Sequence, residues 1–268
     1  MKKKKRYFGV TIMVLALVFF YLPIITVVVF SFNGSKSLTV MKGFSLQWYE
    51  RLFRDSQMMD SVYTTVLVAV IATVVSTVAG TLAAVGLSKS RRVVRDLVLQ
   101  INDFPIMNPE IVTAIGLMLF FITLGVERGL LTMILAHIAF CIPYVILSVM
   151  PKIRSLDPNL ADAAMDLGAT PWQALTKVIV PEITPGILSG ALIAFTMSFD
   201  DFIISYFVTG RGVKNLSIMV YTMSKRVNPT INAISSLIVG VITLILVLIN
   251  LVPFISSKIK NKKNLTEV

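Results

Sequence analysis

The sequence DPNLADAAMDLGATPWQALTKVIVP, residues 157–181, lies between two long apolar segments and predicts a hairpin of two short helices. Asp157 is expected to cap the first helix, with Pro158 at its first position, because a carboxylate accepts the free N–H groups of an opening turn. One face of this helix then carries an apolar stripe at helical spacing, formed by Leu160, Ala163, Ala164 and Leu167.

The second half of the hairpin contains signals for a turn, a restart and an end. Gly168 suits the left-handed conformation that commonly closes a helix. Thr170 and Gln173 have the spacing of a capping box, in which each side chain bonds to the backbone N–H of the other residue. Pro181 is expected to end the second helix, because proline has no N–H for the helical ladder. A polar hairpin between apolar segments indicates a surface that a partner contacts.

The hairpin resembles the cytoplasmic motif of ABC importer permeases: Glu-Ala-Ala, three residues, Gly, nine residues and then Ile-x-Leu-Pro. This chain has Asp for Glu, and Val for both Ile and Leu. In that family the hairpin is the coupling helix that docks in a groove of the ATPase subunit. An ordinary amphipathic hairpin lying on the bilayer is the alternative. The resemblance implies an ATPase-coupling role for Asp162, Ala163, Ala164, Gly168 and Pro181.

The composition is that of an integral membrane protein. Of the 268 residues, 56% are hydrophobic and only 15% are charged, and the mean hydropathy is +0.82. Soluble domains are less apolar and about a quarter charged. The single cysteine, Cys141, excludes a disulfide framework within the chain. The net charge of +11 raises the possibility of nucleic-acid binding, but the positions of the basic residues argue against it.

Six apolar runs are long enough to cross a bilayer, which requires ~20 residues. With a cytoplasmic N-terminus, most of the 25 Lys and Arg residues fall on the inner face, so both termini and the hairpin are predicted to be cytoplasmic. The predicted fold is an all-α membrane protein with one permease domain over residues 1–268, and the resemblance implies the type I ABC importer (MetI-like) fold. The predicted spans lie near residues 8–32, 62–87, 97–125, 129–150, 184–208 and 231–257.

Three acidic residues, Glu110, Asp200 and Asp201, fall inside the predicted spans. A charge at the centre of a membrane helix costs ~2.5–3.5 kcal/mol on insertion scales, so these residues are candidates for a substrate pathway. No Lys or Arg lies inside a predicted span to pair with them, which favours a cationic substrate. Pro105 and Pro109 interrupt the third span, and such an interruption indicates a cavity. The alternative is three structural acids that bond to polar neighbours.

The adjacent pair is expected to divide its roles. Neighbouring helical residues point ~100° apart, so one of Asp200 and Asp201 should face the pathway and the other a polar partner. Tyr206 and Tyr221 are candidates for cation–π contact with a substrate ammonium, with interfacial anchoring as the alternative. His137 is the only histidine and is interpreted as a hydrogen-bonded packing residue rather than a metal or proton site.

Four further runs resemble the permeases of spermidine/putrescine importers, and the similarity extends over nearly the whole chain. Those permeases have Asp where this chain has Glu110. The resemblance implies a bacterial cell-membrane protein that imports protonated amines. It also implies a complex with a second homologous permease, two ATPase subunits and an extracytoplasmic polyamine-binding protein. The four runs are NPEIV at 108–112, HIAFCIP at 137–143, SFDD at 198–201 and FVTG at 207–210.

The sequence contains no G-x-x-x-x-G-K-[ST] loop and no catalytic motif. The chain is therefore predicted not to be an enzyme and to hold no cofactor or metal, with ATP and Mg²⁺ bound by the partner ATPase. One alternative is an importer permease for another solute, such as ferric iron or an organic anion. Another is a secondary cation transporter, which would not need the hairpin. The sequence does not distinguish spermidine from putrescine, nor does it identify the acid that contacts the substrate.

Overall fold

The computed structural model describes residues 2–37, 39–210, 212–224, 228–244 and 247. Within these ranges the chain is helical, and its only extended pairing is an isolated bridge between Asn33 and Phe44. The chain divides into two compact units, one comprising residues 1–59 and 220–268 and the other residues 60–219. The single permease domain expected over residues 1–268 stays a prediction.

The first unit contains a long apolar helix, followed by a loop that is closed by hydrogen bonds. In this loop the buried Asn33 side chain donates hydrogen bonds to the carbonyl oxygens of Ser37 and Val40, at 2.8 and 2.9 Å. The buried Trp48 donates its Nε1–H to the Asn33 carbonyl at 2.6 Å. The Asn33 side-chain amide and the Trp48 indole therefore both contribute hydrogen bonds that hold this loop. The helices of this unit are α1 (Lys2–Phe30), α2 (Gln47–Arg54) and the apolar α12 (Thr230–Leu244).

The second unit is built around α6 (Leu130–Arg154), which packs against α9 (Val180–Asp200), α10 (Ile203–Val208) and α4 (Arg92–Met107). Close approach depends on two glycines that face Val145 of α6. A Cβ on Gly80 would lie 2.8 Å from the Val145 side chain, and one on Gly190 would lie 3.2 Å from its Cα. Small residues at such contacts are common where membrane helices pack. The larger helices of this unit are most of α3 (Ser56–Ser88), α4 (Arg92–Met107), α5 (Glu110–Thr123), α6 (Leu130–Arg154) and α9 (Val180–Asp200).

The predicted third span consists of two helices, α4 and α5, bent by 105°. The break lies at Asn108–Pro109, whereas Pro105 remains inside α4. Asn108 has extended dihedral angles, φ −82° and ψ 148°, because the ring of a following proline disfavours the helical region. The prediction of an interruption is confirmed at Pro109 and is wrong at Pro105.

The second helix of the hairpin does not end at Pro181, so that prediction is wrong. A helix runs from Pro171 to Asp200, comprising α8 (Pro171–Ala174), a π-helical turn (Leu175–Ile179) and α9. Val180 donates its N–H to the Leu175 carbonyl, five residues back. This wider turn directly precedes the proline, and we attribute the continuation to it, because an α-helical carbonyl four residues before a proline clashes with its ring.

The predicted fifth span, residues 184–208, is also interrupted. Helix α9 ends at Asp200, and a short α10 (Ile203–Val208) follows it, so the expectation of one continuous helix there is wrong. Asp201 is in an extended conformation at the break, with φ −63° and ψ 129°. The remaining helices of this unit are α7 (Leu160–Asp166) and the first residues of α11 (Leu216–Ser224).

Among the described residues, four helices are long and apolar enough to cross a membrane, and the bent pair α4–α5 is a fifth candidate. The chain is thus an all-helical membrane protein. The predicted sixth span, residues 231–257, begins with α12 and extends outside the described residues. The four helices are Gly9–Phe30, Ser56–Ser88, Leu130–Arg154 and Pro171–Asp200.

Candidate functional site

The three predicted pathway acids lie at the two helix breaks of the second unit. Glu110 is the first residue of α5, Asp200 is the last residue of α9, and Asp201 lies between α9 and α10. Helix α10 packs against α5, which brings the two breaks together. Glu110 is within electrostatic range of both Asp201 and Asp200. The structure therefore collects acids that are about 90 residues apart in the sequence.

The helix ends act differently on the two more accessible acids. Glu110, which is partly buried, lies at the N-terminus of α5, where the positive end of the helix dipole stabilises a carboxylate. Asp200 is exposed and lies at the C-terminus of α9, where the negative end of the dipole opposes its charge. A visiting cation would relieve this opposition. In the described part of the chain, neither carboxylate forms an ion pair with Lys or Arg.

Asp201 has a different environment from its neighbour, because its carboxylate is buried and fully engaged. Its Oδ1 accepts the N–H of Ile204 at 3.1 Å, and its Oδ2 accepts the N–H of Ser205 at 2.7 Å. Oδ2 also lies 3.3 Å from Nε2 of His137. The carboxylate thus caps the first turn of α10. One half of the expected division of roles is confirmed, because Asp201 faces polar partners, and the pathway role expected of Asp200 stays a prediction.

His137 connects this cap to two other helices. Its Nδ1 is 2.7 Å from Oγ of Ser198 on α9, and its Nε2 is 2.9 Å from Oγ of Ser205 on α10. Asn215, just before α11, donates to the Asp201 carbonyl and to Ser205 Oγ, both at 2.9 Å. The interpretation of His137 as a hydrogen-bonded packing residue is confirmed. No signal in the sequence indicated that Asn215, a loop residue, would join this hydrogen-bond network.

The two predicted tyrosines lie in different units. Tyr206 is on α10 with 49% of its surface exposed, and its ring centroid is 5.4 Å from that of Phe202. It follows Ser205 of the buried network directly. Tyr221 is 41% exposed, in the part of α11 that belongs to the first unit. Tyr206 therefore belongs to the same unit as the three acids.

The hairpin begins later than expected. Helix α7 starts at Leu160, and Asp157 Oδ1 accepts the N–H of Asn159 at 2.9 Å. The predicted helix cap at Asp157 and the first-turn position of Pro158 are therefore wrong. The carboxylate forms a local turn with the residue two positions on, which competes with helix capping.

The turn between the two hairpin helices agrees with the prediction. Gly168 has φ +91°, its N–H donates to the Met165 carbonyl at 2.9 Å, and the next N–H donates to the Ala164 carbonyl at 3.1 Å. This pair of bonds is a Schellman motif. Thr170 donates its N–H to Gln173 Oε1 at 2.9 Å, and Thr170 Oγ1 accepts the Gln173 N–H at 3.3 Å. The capping box is confirmed.

The outer surface of the hairpin carries apolar side chains that the sequence analysis missed. Leu167 is 91% exposed and therefore does not pack in the predicted stripe, and Trp172 is 68% exposed. Asp162 and Ala163 are also exposed, whereas Ala164 is partly buried. Leu167 and Trp172 are therefore available for contact with a partner or with the membrane surface. The signal available in the sequence was their position on either side of the Gly168 turn.

This arrangement defines a class of protein, a helical membrane component that has acids at two helix breaks and an exposed hairpin at residues 157–181. Residues 76–264 match the family described as binding-protein-dependent transport system inner membrane component, and the chain belongs to this family. As a family member it is a transport component of the membrane and not an enzyme. No group of three His, Cys, Asp or Glu side chains able to hold a metal ion is found among the described residues.

Relatives cover most of the chain. It is 38% identical over 249 residues to the putrescine transport system permease protein PotI of Escherichia coli (strain K12), covering 88% of this chain and 87% of that protein. It is 34% identical over 233 residues to the spermidine/putrescine transport system permease protein PotC of Haemophilus influenzae, covering 87% and 90%.

A solved structure supports the fold. A crystal structure of a bacterial ABC transporter involved in the import of the acidic polysaccharide alginate superposes with a TM-score of 0.71 at 19% identity, covering 92% of this chain and 96% of that one. Similarity at this identity concerns the fold alone. The predicted ABC importer permease fold is therefore confirmed, apart from the number of spans and the location of the termini.

Proposed function

We propose that this chain is the permease subunit of an ATP-driven importer and forms half of the membrane pathway for the polyamines spermidine and putrescine. The observation that carries the proposal is the placement of Glu110 and Asp200 at two helix breaks that the packing of α10 on α5 brings together, with no Lys or Arg paired to either in the described chain. A polyamine supplies several ammonium groups on a flexible chain, which suits separated carboxylates. The names of the PotI and PotC relatives agree with this substrate class.

Roles within the site follow from accessibility. Glu110 and Asp200 are proposed to contact ammonium groups, because both retain exposed surface. Tyr206 is proposed to add a cation–π contact, since it is about half exposed and lies on α10, the helix that Asp201 caps. Asp201 is proposed to position α10 rather than to bind substrate directly. Tyr221 remains a candidate from the sequence alone.

The proposed topology has six spans with both termini in the cytoplasm. Its support is the concentration of Lys and Arg at the corresponding ends of the helices, including Lys152 and Arg154 in the last turn of α6. The hairpin over residues 157–181 then lies in the cytoplasm, where an ATPase can reach it. Residues 245, 246 and 248–257 of the predicted sixth span lie outside the described chain.

The proposed partners are a second permease resembling PotB, an ATPase dimer resembling PotA and a binding protein resembling PotD. ATP and Mg²⁺ would be bound by the ATPase, which docks on Asp162, Ala163, Leu167 and Trp172 around the Gly168 turn. The 30-residue helix from Pro171 to Asp200 supports a coupling route, because it joins the hairpin directly to an acid of the pathway. Movement of the hairpin on ATP binding would displace α9 and expose the acids first outward and then inward.

Uptake of labelled spermidine and putrescine tests the proposal. The chain is expressed with its binding protein, second permease and ATPase in cells that lack their own polyamine importers. We expect ATP-dependent uptake that Glu110→Gln abolishes while the complex still assembles. The matched control is Glu50→Gln, which removes an exposed carboxylate paired with Arg54. Absence of uptake by an assembled complex that hydrolyses ATP would redirect the search to another solute, such as ferric iron or an organic anion.

A further inference from the structure

A cavity of about 410 Å³ lies beneath the hairpin in the second unit. It is enclosed by the end of α3, the first turn of α4, the end of α6 and the inner side of the hairpin. Its charged lining consists of Lys89, Arg95, Arg154 and a single carboxylate, Asp157. The remainder of the lining is mainly apolar and includes Val85, Met150, Ile153, Met165 and Leu175.

The positive charge in this cavity is not balanced by the described residues around it. Asp157 already accepts the Asn159 N–H at 2.9 Å. Nε of Arg95 is buried and forms no hydrogen bond with any residue that the structure describes. Its contact with Asp96 is 3.5 Å long, and the same carboxylate also lies 3.6 Å from Nε of Arg92. A guanidinium with an unused buried donor favours an oxyanion that accepts from it.

We propose that this cavity binds the phosphate group of an anionic phospholipid. The cations supply the charge and the donors for a phosphate, and the apolar residues supply contacts for the first carbons of the acyl chains. The cations lie where membrane helices end, which is the depth of lipid headgroups, and basic pockets between membrane helices commonly hold such groups. A free phosphate would match only the charged part of the lining.

The bound lipid would stabilise the hairpin against the ends of α3, α4 and α6. The cavity is lined on one side by Asp157, Pro171 and Leu175 of the hairpin region and on the other by Lys89 and Arg154. An anion between the two sides offsets the repulsion among the cations and joins the hairpin to the membrane helices. A role of the lipid in energy coupling rests on the proposed function, whereas binding of the lipid does not.

The test counts lipids retained by the purified transporter complex in detergent, after incubation with phosphatidylglycerol or phosphatidylcholine, by native mass spectrometry. The wild type is expected to retain one more phosphatidylglycerol per copy of this chain than the double variant Arg95→Gln/Arg154→Gln. The matched control is Arg91→Gln/Arg92→Gln, which removes the same number of charges at the start of α4 and outside the cavity lining. Equal retention by all three proteins would overturn the proposal.

Two further arms decide the remaining possibilities. Ala161→Phe keeps every charge but fills the cavity from α7, so it is expected to lose the same lipid, and it serves if the double variant does not assemble. Excess inorganic phosphate is expected not to displace the lipid. Complete displacement, with phosphate protecting the complex from thermal unfolding, would retain the phosphate site and overturn the lipid. Retention is measured without transport, so its failure leaves the uptake result intact.

Discussion

Asp201 Oδ2 lies 3.3 Å from His137 Nε2, and each side chain is only 1% exposed. The contact joins a helix break to the first half of α6. The two adjacent aspartates therefore have different environments. Asp200 remains at the surface, whereas the carboxylate of Asp201 caps α10. The buried pair therefore fixes the geometry of the helix break, and Asp200 is the acid available for the proposed substrate contact.

The two aspartates should respond differently to neutralisation. Asp201→Asn places an amide where two backbone N–H groups are donated, and loss of a hydrogen bond to a charged group costs about 1.5–3 kcal/mol. We expect a lower unfolding temperature of the purified complex. Asp200→Asn should retain the wild-type unfolding temperature and lose uptake. A stable Asp201→Asn complex that fails only in uptake would assign substrate contact to Asp201 instead.

Tyr206 allows a test of cation–π binding. Tyr206→Phe keeps an aromatic face and should leave the KM for polyamine uptake nearly unchanged, whereas Tyr206→Ala should raise it about 2- to 30-fold, corresponding to ~0.5–2 kcal/mol. Surface expression serves as the control for interfacial anchoring. Loss of expression without a change in KM would favour the anchoring role.

The exposed apolar residues of the hairpin should contribute to ATPase binding. Leu167→Ala and Trp172→Ala each remove a large side chain from a projecting turn, and central apolar anchors typically contribute about 1–2 kcal/mol or more. We expect the ATPase to dissociate about 10-fold or more faster from the complex, measured by surface plasmon resonance in detergent. Leu192→Ala is the control, because Leu192 is as exposed as Trp172, at 68%, but lies on the membrane part of α9. Equal effects at all three positions would contradict a specific interface.

Gly168 separates backbone strain from side-chain clash. A Cβ at this residue would meet nothing within 4 Å, so any loss must come from its φ of +91°. Gly168→Val should cost ~1–2 kcal/mol in the closed turn. Gly168→Asn should cost less, because asparagine tolerates the left-handed region. The measurement is uptake per ATP hydrolysed, for which we expect the order glycine, asparagine, valine. Equal coupling in all three would show that the turn geometry is not required.

Features set by neighbouring residues were predictable from the sequence. Hydropathy located the apolar helices, because a helix that crosses a bilayer must be apolar over a fixed length. The Gly168 turn and the Thr170–Gln173 box were also correct, since their bonds lie within a few residues. The break at Pro109 followed from the restriction that a proline imposes on the preceding residue.

Features that depend on distant residues were not predictable. The start of α10 is set by the Asp201 cap, and Asp201 also contacts His137, which is 64 residues earlier in the chain. Leu167 fits the apolar stripe predicted for the first hairpin helix, and only the three-dimensional structure shows that this side chain is exposed. The passage of the helix through Pro181 depended on a widened turn for which the sequence carries no known signal.

The π-helical turn at Leu175–Ile179 fixes a rotational register between the hairpin and α9. A π turn contains one residue more than the α-helical turn it replaces, and each residue of an α-helix advances the chain by ~100°. Removal of one residue from this turn would restore a regular helix and rotate the exposed hairpin surface by roughly that angle relative to Asp200. The orientation of the proposed docking surface thus depends on a single additional residue.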